Sequence, residues 1–126
     1  MQLALKYDLP FVRVTISYNG NILEIPDVLI DTGSATTILS TDIVASVQIL
    51  PLPQDTLYTI RGVGGSEVIF SRQVDYLKIG ECSIADFEIE VGFMDYGFEI
   101  NGILGMDILS RAGAIINLKE MRIDFC

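Results

Sequence analysis

Apolar and polar residues in this chain alternate over short stretches, and turn residues separate these stretches from one another. Residues 11–18 are rich in β-branched and aromatic residues, and the Asn19-Gly20 pair that follows is a strong hairpin signal. Comparable strand patterns occupy residues 22–25, 28–30, 57–60, 67–70, 74–79, 87–91, 114–118 and 121–125. The pattern therefore predicts an all-β fold built from short antiparallel strands.

Two short segments fit helices better than strands. Residues 43–47 follow Ser40, a residue type that often caps helices, and Asp42, whose charge suits a helix N-terminus. Residues 106–112 form a second short helical pattern that stops at Gly113. We therefore expect one or two small helices beside the strands.

The apolar strand at residues 28–30 leads directly into Asp31, Thr32, Gly33 and Ser34. Three consecutive apolar residues are typical of a strand buried on both faces, and a carboxylate at its end is costly to desolvate unless it is used. Gly33 allows a tight turn, and the two hydroxyls can supply hydrogen bonds. This arrangement suits one half of an aspartic peptidase site; the alternative is an Asx-turn in a surface loop.

Peptide hydrolysis by carboxylates needs two such groups close together. One acts as the base on a water molecule, while the other, protonated, polarises the carbonyl group of the substrate. The chain contains the Asp-Thr-Gly triplet once. The second carboxylate must therefore come from a second copy of the chain, with a two-fold axis between the two Asp31 side chains.

Length, composition and charge limit the number of domains and the classes of partner and catalytic site that fit this sequence. The 126 residues predict one domain over residues 1–126, and a formal net charge of −9 with eight basic residues argues against a nucleic-acid partner. The chain has no histidine, which excludes Ser-His and Cys-His hydrolases and most transition-metal sites.

Cys82 and Cys126 are expected to be free thiols. No apolar stretch approaches the roughly 20 residues that cross a bilayer, and early charges argue against a signal peptide, so we expect a cytoplasmic protein without membrane contact.

Three motifs occur in a fixed order: residues 29–34, a glycine-rich hairpin at residues 61–67, and residues 103–105 followed by a helix. In these motifs the sequence resembles the retropepsin-like aspartic peptidases, single-domain relatives of pepsin that include the retroviral proteases. The resemblance covers residues 11–125. It implies a closed β-barrel or sandwich, a homodimer, a peptide or protein substrate, and neither cofactor nor metal.

The resemblance also implies a role for each motif. Asp31 would be the catalytic carboxylate, and Thr32 would hydrogen-bond across the two-fold axis. Gly33 would bring a backbone N–H to the carboxylate, and Ser34 would donate to its outer oxygen. The flap over the substrate would contain Ile60, Arg61, Gly62, Val63, Gly64 and Gly65. The segment packed beneath the active-site loop would be Ile103, Leu104 and Gly105.

Two residues near these motifs need separate interpretation. Retroviral members commonly carry alanine where this chain has Ser34, and a hydroxyl donor to the carboxylates would lower the pKa of the pair, so we expect a more acidic pH optimum. Asp107 lies just after Gly105. We interpret it as a solvated residue, or as favourable charge in the first helical turn, rather than as a second catalytic acid.

Alternatives to a free-standing enzyme stay open at this point. The fold could serve as a non-catalytic dimerisation or peptide-binding module, or the chain could be the protease segment of a longer polypeptide. Residues 118–125 offer apolar strand residues that could join two protomers, or could only complete the sheet of their own protomer.

Overall fold

The structure, a computed structural model, describes residues 1–62, 65–94 and 99–125, with the backbone alone at residues 60–62 and 65–68. The strands are β1 (Ala4–Lys6), β2 (Leu9–Tyr18), β3 (Asn21–Ile30), β4 (Ile38–Ser40), β5 (Tyr58–Gly62), β6 (Gly65–Ile79), β7 (Cys82–Gly92), β8 (Gly102–Leu104), β9 (Ile115–Asn117) and β10 (Arg122–Asp124). The helices are α1 (Thr41–Val44), which continues into a 3₁₀ turn (Ala45–Val47), and α2 (Met106–Arg111). Both predicted helices are present, although the Ser40 hydroxyl does not cap α1.

A closed barrel forms the centre of the fold. Eight strands make one sheet in the order β1-β2-β3-β8-β4-β7-β6-β5, and β2 also pairs with β6. The β2–β6 pairing closes six of these strands into a barrel, which confirms the predicted all-β class. Most neighbours are antiparallel as predicted, but β3–β8 and β4–β7 are parallel. These pairs are distant in sequence, so no hairpin fixes their relative direction.

The strands β6 and β7 are longer than the sequence pattern predicts. Residues 67–70 and 74–79 belong to one strand because residues 71–73 contain no turn residue and pair continuously with β7. A turn at Gly80 and Glu81 connects the two strands. At its other end, the ladder between β6 and β7 stops at Ile69 opposite Gly92, and β6 continues back to Gly65.

A bulge adjusts the strand that leads to Asp31. β3 continues through Pro26, where the sequence predicted a break, because one residue of β2 faces two residues of β3 between the Val12 and Val14 pairings. Asp27 has a positive φ of 57° at this bulge. Asn101 holds the bulge in place: its amide nitrogen donates to the Pro26 carbonyl at 2.8 Å, and its backbone N–H donates to the Asp27 carbonyl at 3.0 Å.

The last residues of β3 are packed on both faces, as the apolar run predicted. Val28 and Ile30 are buried in the main core, and Leu29 on the other face packs against a second apolar cluster. The buried members of that cluster are Phe11, Ile100 and Ile103. Asp31 therefore follows a strand whose position is fixed from two sides.

The hairpin predicted at Asn19-Gly20 is present, and Asp75 of β6 anchors it. Both turn residues have positive φ, at 49° and 82°. The Asp75 carboxylate accepts hydrogen bonds from the Gly20 N–H and from the Ser17 hydroxyl, each at 3.0 Å. These bonds, with the Gly20 amide as the larger cause, hold the pKa of Asp75 below its ordinary value.

The N-terminal residues pair with β10 of the same chain. The Met1 ammonium donates to the Ile123 carbonyl at 3.0 Å, the Ile123 N–H donates to the Met1 carbonyl at 2.9 Å, and the Leu3 N–H donates to the Met121 carbonyl at 2.7 Å. β10 also pairs with β9, so both of its edges are occupied. In the described part of the chain, the outer edge of β9 has no strand partner.

Cys82 is disulfide-bonded, so the expectation of free thiols is wrong. The other cysteine of the sequence, Cys126, lies outside the described residues. Composition could not reveal this bond, because two cysteines in a chain of ordinary size do not indicate pairing. Among the described residues, no helix combines the length and apolar character needed to span a membrane.

Candidate active site

Asp31 stands at the end of β3, where the backbone fixes its orientation. Its N–H donates to the Leu104 carbonyl at 3.0 Å, and its Oδ1 accepts the Gly33 N–H at 2.9 Å, as the resemblance implied. A Cβ atom at Gly33 would lie 3.1 Å from that oxygen, so glycine leaves room for the contact. Asp31 is half-buried and Thr32 is exposed. One carboxylate is thus oriented by the main chain beside an open surface.

The Ser34 hydroxyl does not bond to Asp31, which corrects the role expected for it. Its Oγ donates to the Thr36 carbonyl at 2.8 Å, and the Ser34 N–H donates to the Asp31 carbonyl at 3.1 Å. Ser34 therefore shapes the loop after Asp31 rather than the charge of the carboxylate. The more acidic pH optimum expected from a Ser34 bond loses its physical basis.

The segment Ile103, Leu104 and Gly105 lies against the active-site loop, in the place the sequence suggested. β8 runs parallel to β3, with Leu104 opposite Ile30, and antiparallel to β4. At Gly105 the loop backbone is so close that an added Cβ would lie 2.3 Å from the Thr36 carbonyl oxygen. Glycine is needed here for space and not for backbone conformation, because its φ is −97°.

Asp107 contacts the active-site loop directly, and the sequence interpretation missed this role. Its Oδ2 accepts the Thr37 N–H at 3.0 Å, and its Oδ1 accepts the Thr37 hydroxyl at 2.7 Å. Thr37 is fully buried, and its Oγ1 also accepts the Gly105 N–H at 3.2 Å. The sequence offered no clear signal for this contact, because the burial of Thr37, which makes its hydroxyl need a partner, is visible only in the structure.

The glycine-rich hairpin predicted as the flap has a regular described backbone. β5 pairs with β6 from Tyr58 opposite Ile69 to Gly62 opposite Gly65. Val63 and Gly64 lie outside the described residues, as do the side chains of Ile60 and Arg61. The described backbone therefore places the hairpin stem, and the flap role of its tip stays a prediction.

A nearly buried ion pair fixes the loop that leads into β5. The Arg72 guanidinium of β6 bonds to the Asp55 carboxylate, and the two side chains are 9% and 12% exposed. Arg72 also donates to the Leu50 carbonyl at 3.1 Å and stacks between the rings of Tyr18 and Phe70. Arg72 therefore attaches the loop before β5 to strand β6 of the barrel.

Several carboxylates line a cavity beside Thr36 of the active-site loop and make this surface negatively charged. A cavity of about 260 Å³ is lined by Thr36, Phe87, Glu88, Glu90, Asp107 and Arg111. The Oε2 atom of Glu90 is buried and has no hydrogen-bond partner among the described residues. Burial, followed by the nearby Glu90 and Glu88 carboxylates, raises the pKa of Tyr58, although the Ser71 hydroxyl at 3.3 Å opposes this. In the described residues, no cluster of side chains has the arrangement of a metal site.

Comparison with known proteins agrees with this geometry. A family profile described as Aspartyl protease matches residues 12–108, which include Asp31, the hairpin stem and Gly105. The chain belongs to the aspartyl protease family. The chain is similar in structure to a retropepsin-like aspartic protease from Rickettsia conorii, with a TM-score of 0.69 and 19% identity over 97% of this chain and 95% of that one. The likeness confirms the predicted retropepsin-like fold, while a search of curated proteins finds no match.

Proposed function

We propose that this chain is an aspartic endopeptidase that hydrolyses peptide bonds with a water molecule activated by two Asp31 carboxylates. The observation that carries the proposal is the Asp31 loop, in which the Gly33 N–H orients one carboxylate oxygen beside an exposed Thr32. A single protomer supplies one such carboxylate. Two loops facing each other across a two-fold axis would supply the pair that the reaction requires.

In this mechanism the two Asp31 side chains share one proton. The ionised carboxylate takes a proton from water as its oxygen attacks the carbonyl carbon, and the protonated partner donates to the carbonyl oxygen. The tetrahedral intermediate breaks its C–N bond as the nitrogen accepts the proton that the first carboxylate took from water, and a hydroxyl of the intermediate returns its proton to the second carboxylate. No covalent intermediate with the protein forms, and no cofactor is needed.

The substrate we propose is an extended peptide held beneath the hairpin of residues 60–68. Extended peptides bind through main-chain hydrogen bonds, with alternate side chains entering pockets. Leu29, a partly buried member of the second apolar cluster, lies two residues before Asp31. This position supports a preference for apolar substrate side chains.

The homodimer in this proposal would use the outer edge of β9. β10 has both edges occupied, whereas one edge of β9 has no partner in the described residues; Ile115 within β9 and Leu118 just after it are 67% and 63% exposed. An unpaired strand edge with exposed apolar side chains is a surface that readily pairs with another chain. The fraction of active protein would then depend on protein concentration, because a protomer alone lacks the second carboxylate.

The decisive experiment compares wild type with Asp31→Asn on a proteome-derived peptide library, with cleavage sites mapped by mass spectrometry. We expect wild-type cleavage that a statine-type inhibitor blocks, and no cleavage by the folded variant. Asp42→Asn, at an exposed aspartate in α1, controls for loss of one charge. Cleavage by Asp31→Asn would reject the mechanism, and a dimer or peptide complex without any wild-type cleavage would support the non-catalytic module instead.

The dimer surface can be tested separately by sedimentation. Ile115→Glu should shift the protein toward monomer and lower activity at micromolar concentration, while its circular dichroism stays that of wild type. Ile22→Glu is the matched control, because Ile22 is 65% exposed and lies near the start of β3, at the opposite end of the strand from Asp31. Equal dimerisation of both variants would exclude the β9 edge as the interface.

A cytoplasmic location remains a proposal. Disulfides persist mainly in oxidising compartments, so the disulfide at Cys82 bears directly on which compartment contains the protein. Cell fractionation of the tagged protein, with thiol alkylation before lysis, would determine both the compartment and the oxidation state of Cys82.

A further inference from the structure

We infer that Asp107 is a positioning residue for Asp31, acting through Thr37; this inference rests on the proposed function. Three donors converge on the Asp107 carboxylate. They are the Thr37 N–H at 3.0 Å, the Thr37 hydroxyl at 2.7 Å and the Ile108 N–H at 2.7 Å. Asp107 thereby binds both the backbone and the side chain of the last loop residue before β4.

The contacts of Thr37 have a fixed direction. Its hydroxyl accepts the Gly105 N–H and therefore uses its own proton toward Asp107. Thr37 is fully buried, so water cannot replace the hydrogen-bond partners of its hydroxyl and N–H. Removing the acceptor would leave the hydroxyl proton and the Thr37 N–H without partners, and unsatisfied buried groups are costly.

The loop is attached to the segment around α2 from one end to the other. The Asp31 N–H donates to the Leu104 carbonyl, the Met106 N–H donates to the Ser34 carbonyl at 2.8 Å, and the Asp107 N–H donates to the Ala35 carbonyl at 3.2 Å. Asp107 is thus the residue that holds the loop through both its backbone and its side chain. Movement at Thr37 would pass back along this short loop to Asp31.

The chemistry requires a carboxylate at position 107, and an amide of the same shape is a poor substitute. Oδ2 accepts from the Thr37 N–H and Oδ1 accepts from the Ile108 N–H. In either orientation, the amide nitrogen of Asp107→Asn would face a backbone N–H. The variant therefore loses one acceptor and places two donors against each other.

The expected consequence is a loss in kcat with little change in KM, because the substrate pockets stay in place while the carboxylates separate. Displacement of catalytic groups by about 1 Å can cost about 100-fold in rate, so we expect Asp107→Asn to lower kcat by about 10- to 100-fold. The two limbs of the pH–rate profile should also move closer together. Their separation depends on how close the two Asp31 carboxylates lie.

The experiment compares Asp107→Asn, Thr37→Val and Thr37→Ser with wild type at concentrations that saturate the dimer. Thr37→Val keeps the shape and removes the hydroxyl, so we expect it to resemble Asp107→Asn. Thr37→Ser keeps the hydroxyl and should restore both kcat and the limb separation. Asp42→Asn, which removes an exposed charge from the first turn of α1, should leave both values unchanged.

Amide hydrogen exchange provides a readout that is independent of turnover. In Asp107→Asn, the Thr37 amide should exchange faster, while amides in the β6–β7 ladder keep their wild-type rates. Unchanged kcat, limb separation and Thr37 exchange in Asp107→Asn would overturn the inference, as would a Thr37→Ser variant as impaired as Thr37→Val. If wild type shows no Asp31-dependent cleavage, the proposed function fails, and the exchange rates alone then decide whether Asp107 holds the loop.

Discussion

The closest backbone approach beneath the active-site loop gives a sharp prediction for Gly105→Ala. The added Cβ would lie 2.3 Å from the Thr36 carbonyl oxygen, 2.5 Å from its carbon and 2.8 Å from its nitrogen. All three neighbours are backbone atoms, so no side-chain rotation relieves the contact. Ordinary contact begins near 3.4 Å, so the loop must move away from α2 by about 1 Å.

Two separate effects should follow from this displacement. Overpacking of this kind costs about 1–3 kcal/mol of unfolding free energy. A displacement of about 1 Å in the loop that carries Asp31 should lower kcat by about 100-fold. Urea denaturation would measure the first effect, and steady-state cleavage of a peptide found in the library screen would measure the second.

Gly113→Ala is the matched control for this substitution. Gly113 has a positive φ of 61° and open space around its Cβ direction, so alanine there strains the backbone by about 1–2 kcal/mol without touching the loop. We expect both variants to lose stability and only Gly105→Ala to lose kcat. A Gly105→Ala enzyme with wild-type kcat would refute the claim that this packing positions Asp31.

Three further predictions concern charge and hydrogen bonding. Because the pKa of Asp75 is lowered in the folded protein, its stabilising effect is full above the ordinary carboxyl pKa and is lost as pH falls through the lowered value. The difference in unfolding free energy between wild type and Asp75→Asn should therefore shrink between pH 7 and about pH 2.5 in urea titrations. Asp55→Asn leaves Arg72 buried without its partner and should cost about 3 kcal/mol in chemical denaturation, whereas Glu24→Gln, at an exposed pair, should cost less than about 1 kcal/mol. Ser34→Ala should leave both limbs of the pH–rate profile in place, because its hydroxyl bonds within the loop; an upward shift of either limb would show a bond to Asp31 in the active dimer.

Local sequence patterns predicted the elements that depend on neighbouring residues. The Asn19-Gly20 turn, the apolar strand before Asp31 and the helix that ends before Gly113 each have a short-range cause in turn chemistry or burial. The pairing of β3 with β8 could not be predicted in this way. It joins residues about 70 positions apart, and nothing in either segment alone fixes a parallel direction.

The contacts of the candidate site also differ in how far apart their residues lie in the sequence. The Gly33 contact to Asp31 lies within one turn, and the family resemblance of the motif implied it. The Ser34 hydroxyl had two acceptors within reach, and only the folded loop shows that it bonds to Thr36. The Thr37–Asp107 contact depends on where β8 and α2 lie, which a linear pattern does not contain.

The parallel contact between β3 and β8 also determines when the site can exist. Asp31 is translated before its backbone partner Leu104 and the underlying Gly105, which follow about 70 residues later in the chain. Contacts of such high sequence separation form late in folding, so a nascent chain would carry the aspartate without its supporting loop. A nascent chain that has not yet reached Gly105 would thus lack the loop geometry on which the proposed cleavage depends.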